Sequence, residues 1–371
     1  MKRLICLLLS SIFVLLLYGC NNSSNISLNT DNIDTTNNID VSDTNVSNSN
    51  SNTLNETDDY PDEEANPASD FEYQINSDQT GVLINKYIGY SEYVIIPSLI
   101  NNLPVISLAG VPDQQYPTVV AEGAFENQNI QTVVIPNTIK AIGALSFNNC
   151  KKLTQVTFST NSNLTYVNGS AFANCVKLEK IDFSSTTLKG LDVLAFRGCT
   201  SLKEVTFSNT LVEIREHAFY KCSALSEIDF PQSLTKIEGG AFAYCTSLKR
   251  VSISTKLELT SFDEAMFHNV PALEQIIFEE GREEITGYAL FQTDASVEII
   301  VPKSVKRFSP LPFLINPSTN ITIVFLGDAP KIVDDDTDWF GNPFVYYDQK
   351  TNGWDKFAWN GKYTVKPIQT N

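Results

Sequence analysis

From about residue 124 onward, buried-type and polar-type residues alternate in a pattern that restarts every 22 to 25 residues. Phe125, Phe147, Phe172, Phe196, Phe219, Phe242, Phe267 and Phe291 mark the restarts, at spacings of 22, 25, 24, 23, 23, 25 and 24. Within the unit at Phe172 stand Ala171, Cys175, Leu178, Ile181 and Phe183, then Leu188 and Leu191. The units at Phe196 and Phe219 repeat the set with Cys199, Leu202, Val205 and Phe207, and with Cys222, Leu225, Ile228 and Phe230. The internal period changes within each unit. Phe, Cys and Leu at i, i+3 and i+6 share one face of a short helical turn, whereas the Val and Phe that follow stand two apart, as in a strand with one buried face. Ser, Thr, Asn and Pro then turn the chain back. A unit this small cannot bury its own apolar face, so the pattern predicts a solenoid of stacked coils with one short parallel β-strand per repeat, and short helical turns and irregular segments elsewhere. Eight coils at one strand spacing make a core roughly 35 Å long.

These residues resemble a known family. Ala-Phe-x-x-Cys-x-x-Leu-x-x-Val-x-Phe, nearly complete in five consecutive units, is similar to the leucine-rich repeat of the Treponema pallidum type found in BspA-like bacterial surface proteins. The resemblance implies a curved α/β-type leucine-rich-repeat solenoid over 124–308. Tyr87-Ile88-Gly89, Val94-Ile95-Ile96-Pro97 and Leu103-Pro104-Val105-Ile106 resemble its degenerate first coil, placed at 70–123. Gly327-Asp328-Ala329-Pro330, Val345-Tyr346-Tyr347 and Gly353-Trp354 resemble its C-terminal cap, placed at 309–371. Departures fall at the ends: Gln128, Val270 and Asp294 stand where the other repeats have Cys.

Ahead of the repeats, Lys2 and Arg3 precede an apolar stretch from Leu4 to Leu17 that is short for a membrane span. It ends in Leu17-Tyr18-Gly19-Cys20, which is similar to a bacterial lipobox. Residues 1–20 are therefore expected to be a lipoprotein signal peptide, with Cys20 as the lipid attachment site. The expected localisation is the bacterial cell envelope, on its outer surface, anchored by lipid and not threaded through the membrane. Residues 21–69 are Asn, Ser, Thr and Asp with few large apolar groups, a composition expected to form a disordered tether. Asn21 to Asp70 hold eleven acids and no Lys or Arg. As a coil such a tether reaches roughly 40 Å. The net charge of −17 thus belongs largely to the tether. The remainder, with 32 acids and 24 bases, is mildly acidic and argues against nucleic acid or anionic lipid as partners.

Candidate chemistry is sparse. Cys150, Cys175, Cys199, Cys222 and Cys245 occupy one column of the stack. Their parallel Cβ vectors would lie about 5 Å apart, too far for a disulfide, and no Cys-x-x-Cys pair suggests zinc; a ladder of buried thiols is expected. His217 and His268 lie in different repeats with no nucleophile pattern beside them, and are expected to be exposed. Asp334, Asp336 and Asp338 alternate as in the start of a calcium loop, but Trp339 and Val345 stand where its Gly and Glu belong. No phosphate loop or dinucleotide fingerprint is present. These readings predict no enzyme, cofactor or metal site.

The expected site is the outward face of the strands. Before each buried Val or Ile stand Gln155, Lys180, Glu204, Glu227, Arg250 and Gln275. After it come Thr157, Asp182, Thr206, Asp229, Ser252 and Ile277, and then Ser159, Ser184, Ser208, Pro231 and Ser254. Lys180, Asp182, Glu204, Glu227, Asp229 and Arg250 form a central charged band on a concave sheet, with no aromatic in these columns. The family resemblance implies adhesion: a protein or glycoprotein ligand on host or neighbouring cells. Two alternatives stand beside it. One is glycan or nutrient binding by the C-terminal aromatics Trp339, Phe340, Phe344, Tyr346, Tyr347, Trp354, Phe357 and Trp359. The other is a structural module within the envelope. Nothing in the sequence speaks to oligomeric state.

Replacing Cys20 by Ala is expected to leave the protein soluble or unprocessed. Membrane retention of a mature-sized form on fractionation would count against the anchor.

Overall fold

The computed structural model describes residues 64–109, 122–258, 266–286, 291–293, 296–309, 313–315, 321–333 and 343–368. The signal segment, Cys20 and most of the expected tether lie outside them.

The Val-x-Phe segments form the strand row predicted from their alternation. It begins at Tyr93–Ile95 and runs through Lys180–Asp182, Glu204–Thr206 and Arg250–Ile253 to Thr364–Pro367. The row is built as a three-, a two- and a seven-stranded stretch, and the pairs within each are parallel and in register. The return segments form a second parallel row, including Gly190–Leu191, Glu213–Ile214 and Lys236–Ile237. Between the rows lies one continuous apolar core, in which the inward residues of successive coils stack on one another. The expected end of the repeats at residue 308 is not the end of the row. Thr322–Phe325, Phe344–Tyr347 and Thr364–Pro367 continue it from Glu298–Val301 in parallel register.

The phenylalanines form the spine. Tyr87, Phe125, Phe147, Phe172, Phe196, Phe219, Phe242 and Phe267 stack ring on ring, with centroids 4.9 to 5.4 Å apart. From Phe147 to Phe242 the rings are within 7° of parallel. Each of these phenylalanines is fully buried. Ring spacing and coil rise are therefore the same length, about one strand separation.

The expected helical turn is replaced by something flatter. Among the described residues there is no α-helix, only short 3-10 turns. Cys175 N–H donates to Phe172 O at 3.2 Å and Leu178 N–H to Cys175 O at 3.1 Å, both three residues back. The residues two before and two after each Phe from Phe147 to Phe242 are left-handed: Ser170 and Asn174 around Phe172, Leu194 and Gly198 around Phe196, His217 and Lys221 around Phe219. This alternation turns every second N–H toward the next coil. Ser170, Phe172 and Asn174 donate to Val193, Ala195 and Arg197 at 3.0, 2.8 and 2.7 Å, and the following coils repeat the triplet. A helix would spend those donors within the coil. Here they tie coil to coil, which offsets the roughly 1 to 2 kcal/mol that a side chain pays in the left-handed region.

The cysteine column adds a further tie. Each thiol donates to the Phe carbonyl of the preceding coil: Cys150 to Phe125, Cys175 to Phe147, Cys199 to Phe172, Cys222 to Phe196 and Cys245 to Phe219, at 3.0 to 3.3 Å. All five are free and buried. Burial pushes the Cys150 and Cys245 thiols up to about 12 and raises those of Cys175 and Cys222 well above the ordinary value. Gln128, where the motif departs, makes the same bond: its Nε2 donates to Tyr87 O at 3.3 Å. In six of the repeats the position thus supplies a donor to the preceding coil, whereas buried Val270 only fills the space.

The two ends are closed differently. Phe71–Ile75 pairs antiparallel with Val82–Tyr87. Asn66 caps the first strand of the exposed row: its N–H donates to Ile95 O, and Ile95 N–H to Asn66 Oδ1, both at 2.9 Å. The cap lies ahead of Asp70, and a polar side chain satisfies a strand edge that would otherwise pair with other chains. At the far end Trp354, Phe357 and Trp359 are buried against Phe308 and Phe325.

Three outcomes follow. Phe196→Ala should cost about 3 to 5 kcal/mol in denaturant unfolding, because both ring neighbours lose their partner. Gly198→Ala should cost about 1 kcal/mol or more, since its φ is +73° and the added Cβ would sit 2.6 Å from Asn174 Oδ1; Lys221→Gly at the equivalent position should be neutral or stabilising. Thiol titration at pH 8 should find the five ladder cysteines unreactive in the native protein and all reactive after unfolding. Reaction in the native state would contradict their burial.

Candidate binding surface

The outward columns of the strand row are the surface with the strongest claim to a function. Alternation places the expected residues as predicted. Lys180, Asp182, Glu204, Glu227, Asp229 and Arg250 are all exposed, while Ile181, Ile228 and Val251 between them are buried. Register fixes their neighbours: Lys180 lies beside Glu204, Asp182 beside Thr206, and Glu227 beside Arg250. The six thus share one face on successive strands.

Part of this band is satisfied internally. Arg250 Nη2 lies 3.2 Å from Glu227 Oε2, and Asp182 Oδ1 accepts the Ser184 N–H at 2.8 Å. Along the row's rim, Lys203 meets Glu179 at 2.8 Å and Lys152 meets Glu92 at 2.8 Å. Lys152 and Gln131 together hold the Glu92 carboxyl below the usual range. All these pairs are well exposed, so they contribute little to stability. Each joins one coil to another: Lys203–Glu179 and Arg250–Glu227 link adjacent coils, and Lys152–Glu92 spans two.

The third expected column holds only in part: Ser184 is exposed and Pro231 half-buried, whereas Ser159, Ser208 and Ser254 are buried, not outward. The chain is already turning there, and Ser208 Oγ donates to Thr186 O of the preceding coil at 2.7 Å. The expectation of a face without aromatics is also corrected. It followed from ending the columns at Gln275 and Ile277. The row carries on through Glu298 and Ile300, Thr322 and Val324, to Phe344 and Tyr346, and it opens with Tyr93 in the same column as Thr132 and Gln155. Tyr93 is 63% exposed and Phe344 42%. The signal was present in Glu-Ile-Ile-Val, which follows Phe291 without the Cys, and in Thr-Ile-Val-Phe and Phe-Val-Tyr-Tyr, which alternate like the earlier strands but follow no Ala-Phe-x-x-Cys marker.

Other sequence candidates fall away from the surface. Trp354 and Trp359 are buried, and Tyr347 stacks on Trp354 at 4.6 Å, so these rings offer no open platform to a sugar. Trp339, Phe340 and the Asp334, Asp336 and Asp338 series lie outside the described residues. His217 and His268 are half-buried, not exposed: His217 packs edge-on to Tyr220, and His268 to Tyr244. Among the described residues no cluster of three His, Cys, Asp or Glu could hold a metal ion, and no helix is long and apolar enough to cross a membrane.

The chain matches the model of the "BspA type Leucine rich repeat region" in six copies, over residues 118–249 and 189–319. No curated protein matches it. Among solved structures it is similar to the Treponema pallidum leucine-rich repeat protein TpLRR, at 22% identity over 64% of this chain and 86% of that one, with a TM-score of 0.33. It is also similar to a leucine-rich cell surface protein of Faecalibacterium prausnitzii, at 19% identity over 76% and 98%, TM-score 0.36. A third likeness is to the pneumococcal vaccine antigen PcpA, at 15% identity over 81% and 97%, TM-score 0.39. At TM-scores this low none of the three bears on function. The repeat match covers more than half of the chain, with the phenylalanine spine at its centre, and this protein belongs to the BspA-type leucine-rich repeat family.

Proposed function

We propose that this protein is a lipid-anchored surface protein of a bacterial envelope that binds a macromolecular partner through the outward strand face. Adhesion to a protein or glycoprotein of a host or of neighbouring bacteria is the reading. The observation that carries it is the face itself. Its strands, from Tyr93–Ile95 to Thr364–Pro367, present chemically distinct columns on one side, far more outward surface than solubility requires. Cys20 would supply the anchor and the acidic segment after it the spacing. No helix of the described residues competes with that anchor as a membrane span. Repeats of this kind bind large partners by surface complementarity, which needs no catalytic group.

Protease shaving of intact cells, followed by detection of residues 71–371, tests the location. Loss of the signal is expected; full protection until the envelope is opened would favour a structural role inside it. The face is tested by binding of the full-length protein to target cells. Glu204→Lys with Asp229→Lys should weaken binding about tenfold, the size of one or two altered charge contacts. Lys189→Glu, exposed on the return row, should leave it unchanged. Equal binding by all three proteins would overturn the assignment of the face.

A further inference from the structure

The outward column changes character halfway along. Thr157, Asp182, Thr206 and Ser252 occupy it in the earlier coils. Ile277, Ile300, Val324 and Tyr346 then follow in register on four successive strands. All four are partly exposed. The core does not need them, because Ile276, Ile299, Ile323 and Val345 already fill the inward positions. Phe344 lies beside Tyr346 on the same face. The strip spans about 14 Å along the solenoid, three strand spacings. An outward apolar row of this length, beside charged columns, is the pattern of an interaction surface.

The surroundings select the occupant. Glu298 flanks the strip, its Oε2 accepting from Gln275 Nε2 at 2.8 Å, and Glu279 stands beyond it. The neighbouring band holds Asp182, Glu204, Glu227 and Asp229 against Lys180 and Arg250, and exposed Lys366 pairs with Tyr346 at the strip's far end. The border is acidic on balance, and this disfavours two available occupants. The chain's own segment from Asn21 to Asp70 has eleven acids and no base. A second copy would set this acidic face against a chain of net charge −17. Ile277, Ile300 and Val324, three of the strip's four residues, give a sugar neither a hydrogen bond nor a stacking face.

We propose that Ile277, Ile300, Val324 and Tyr346 form the anchoring strip for a different protein, one that presents apolar side chains next to Lys or Arg. This rests on the reading of the strand face as the binding surface. Apolar contact anchors the partner, and the acidic band orients its basic residues and speeds encounter.

The test titrates the full-length protein, labelled at isoleucine methyls, with an alternating Leu-Lys peptide. An all-Lys peptide and a Leu-Glu peptide of equal length serve as comparisons. The Ile277 and Ile300 methyls are expected to shift while Ile299 and Ile323 stay fixed. Ile300→Asn should weaken Leu-Lys binding about tenfold and the near-isosteric Val324→Thr about threefold, the scale of a lost apolar anchor. The Leu-Glu peptide should not bind. Equal affinity for the Leu-Lys and all-Lys peptides, an unchanged affinity in both variants, or a concentration-dependent dimer abolished by Ile300→Asn would each overturn the proposal. Its failure is separable from that of the wider reading. If Glu204→Lys with Asp229→Lys weakens cell binding and Ile300→Asn does not, the face binds but the strip is not its anchor. If neither changes cell binding, the face itself is wrongly assigned.

Discussion

Every other feature of this molecule depends on one coil lying a single strand spacing from the next. The phenylalanine stack enforces that distance. A flat ring against a flat ring, at 4.9 to 5.4 Å, fills the gap between coils without leaving a void, and the backbone pairs at the same spacing on both strand rows. An offset stack of this kind adds roughly 0.5 to 1.5 kcal/mol per pair beyond simple burial. The rings also sit between two left-handed residues, and that backbone form is what sends three N–H groups per coil to the neighbour. Side-chain stacking and backbone bonding thus support the same geometry, and the cysteine thiol makes a third tie at the same point.

A stack held this way is indifferent to what its outward residues are. Inward positions are filled mainly by Phe, Leu, Val, Ile, Ala and Cys, with Tyr87, Met266, Trp354 and Trp359 toward the ends. Outward positions on the strand row need only tolerate the pleat. The result is a surface on which chemistry varies along the solenoid while the scaffold does not: Tyr93 at the start, charged residues through the middle, Ile, Val and Tyr toward the end. A binding surface can diverge on such a scaffold without disturbing the fold beneath it. The buried thiols, by contrast, are out of reach, and burial raises those of Cys150, Cys175, Cys222 and Cys245, so they serve architecture.

The period of the phenylalanines, the change from a spacing of three to a spacing of two, and the polar turns were enough to specify a parallel solenoid and the outward position of Lys180, Asp182, Glu204, Glu227, Asp229 and Arg250. These are consequences of which residues must be buried, and burial is written in the order of side chains. Tertiary structure decided the rest. The turn around each Phe is not helical, because every second N–H finds its partner in a neighbouring coil. Cys and Gln128 are equivalent because both reach the carbonyl of the ring before them. The strand row outruns the Phe and Cys markers because pairing with Gln275–Phe278 recruits Glu298–Val301 and the strands beyond, and this brings Ile300, Val324 and Tyr346 into one line. Sequence spacing determines what each coil contains; only the register between coils, set by backbone pairing, determines which outward residues stand side by side.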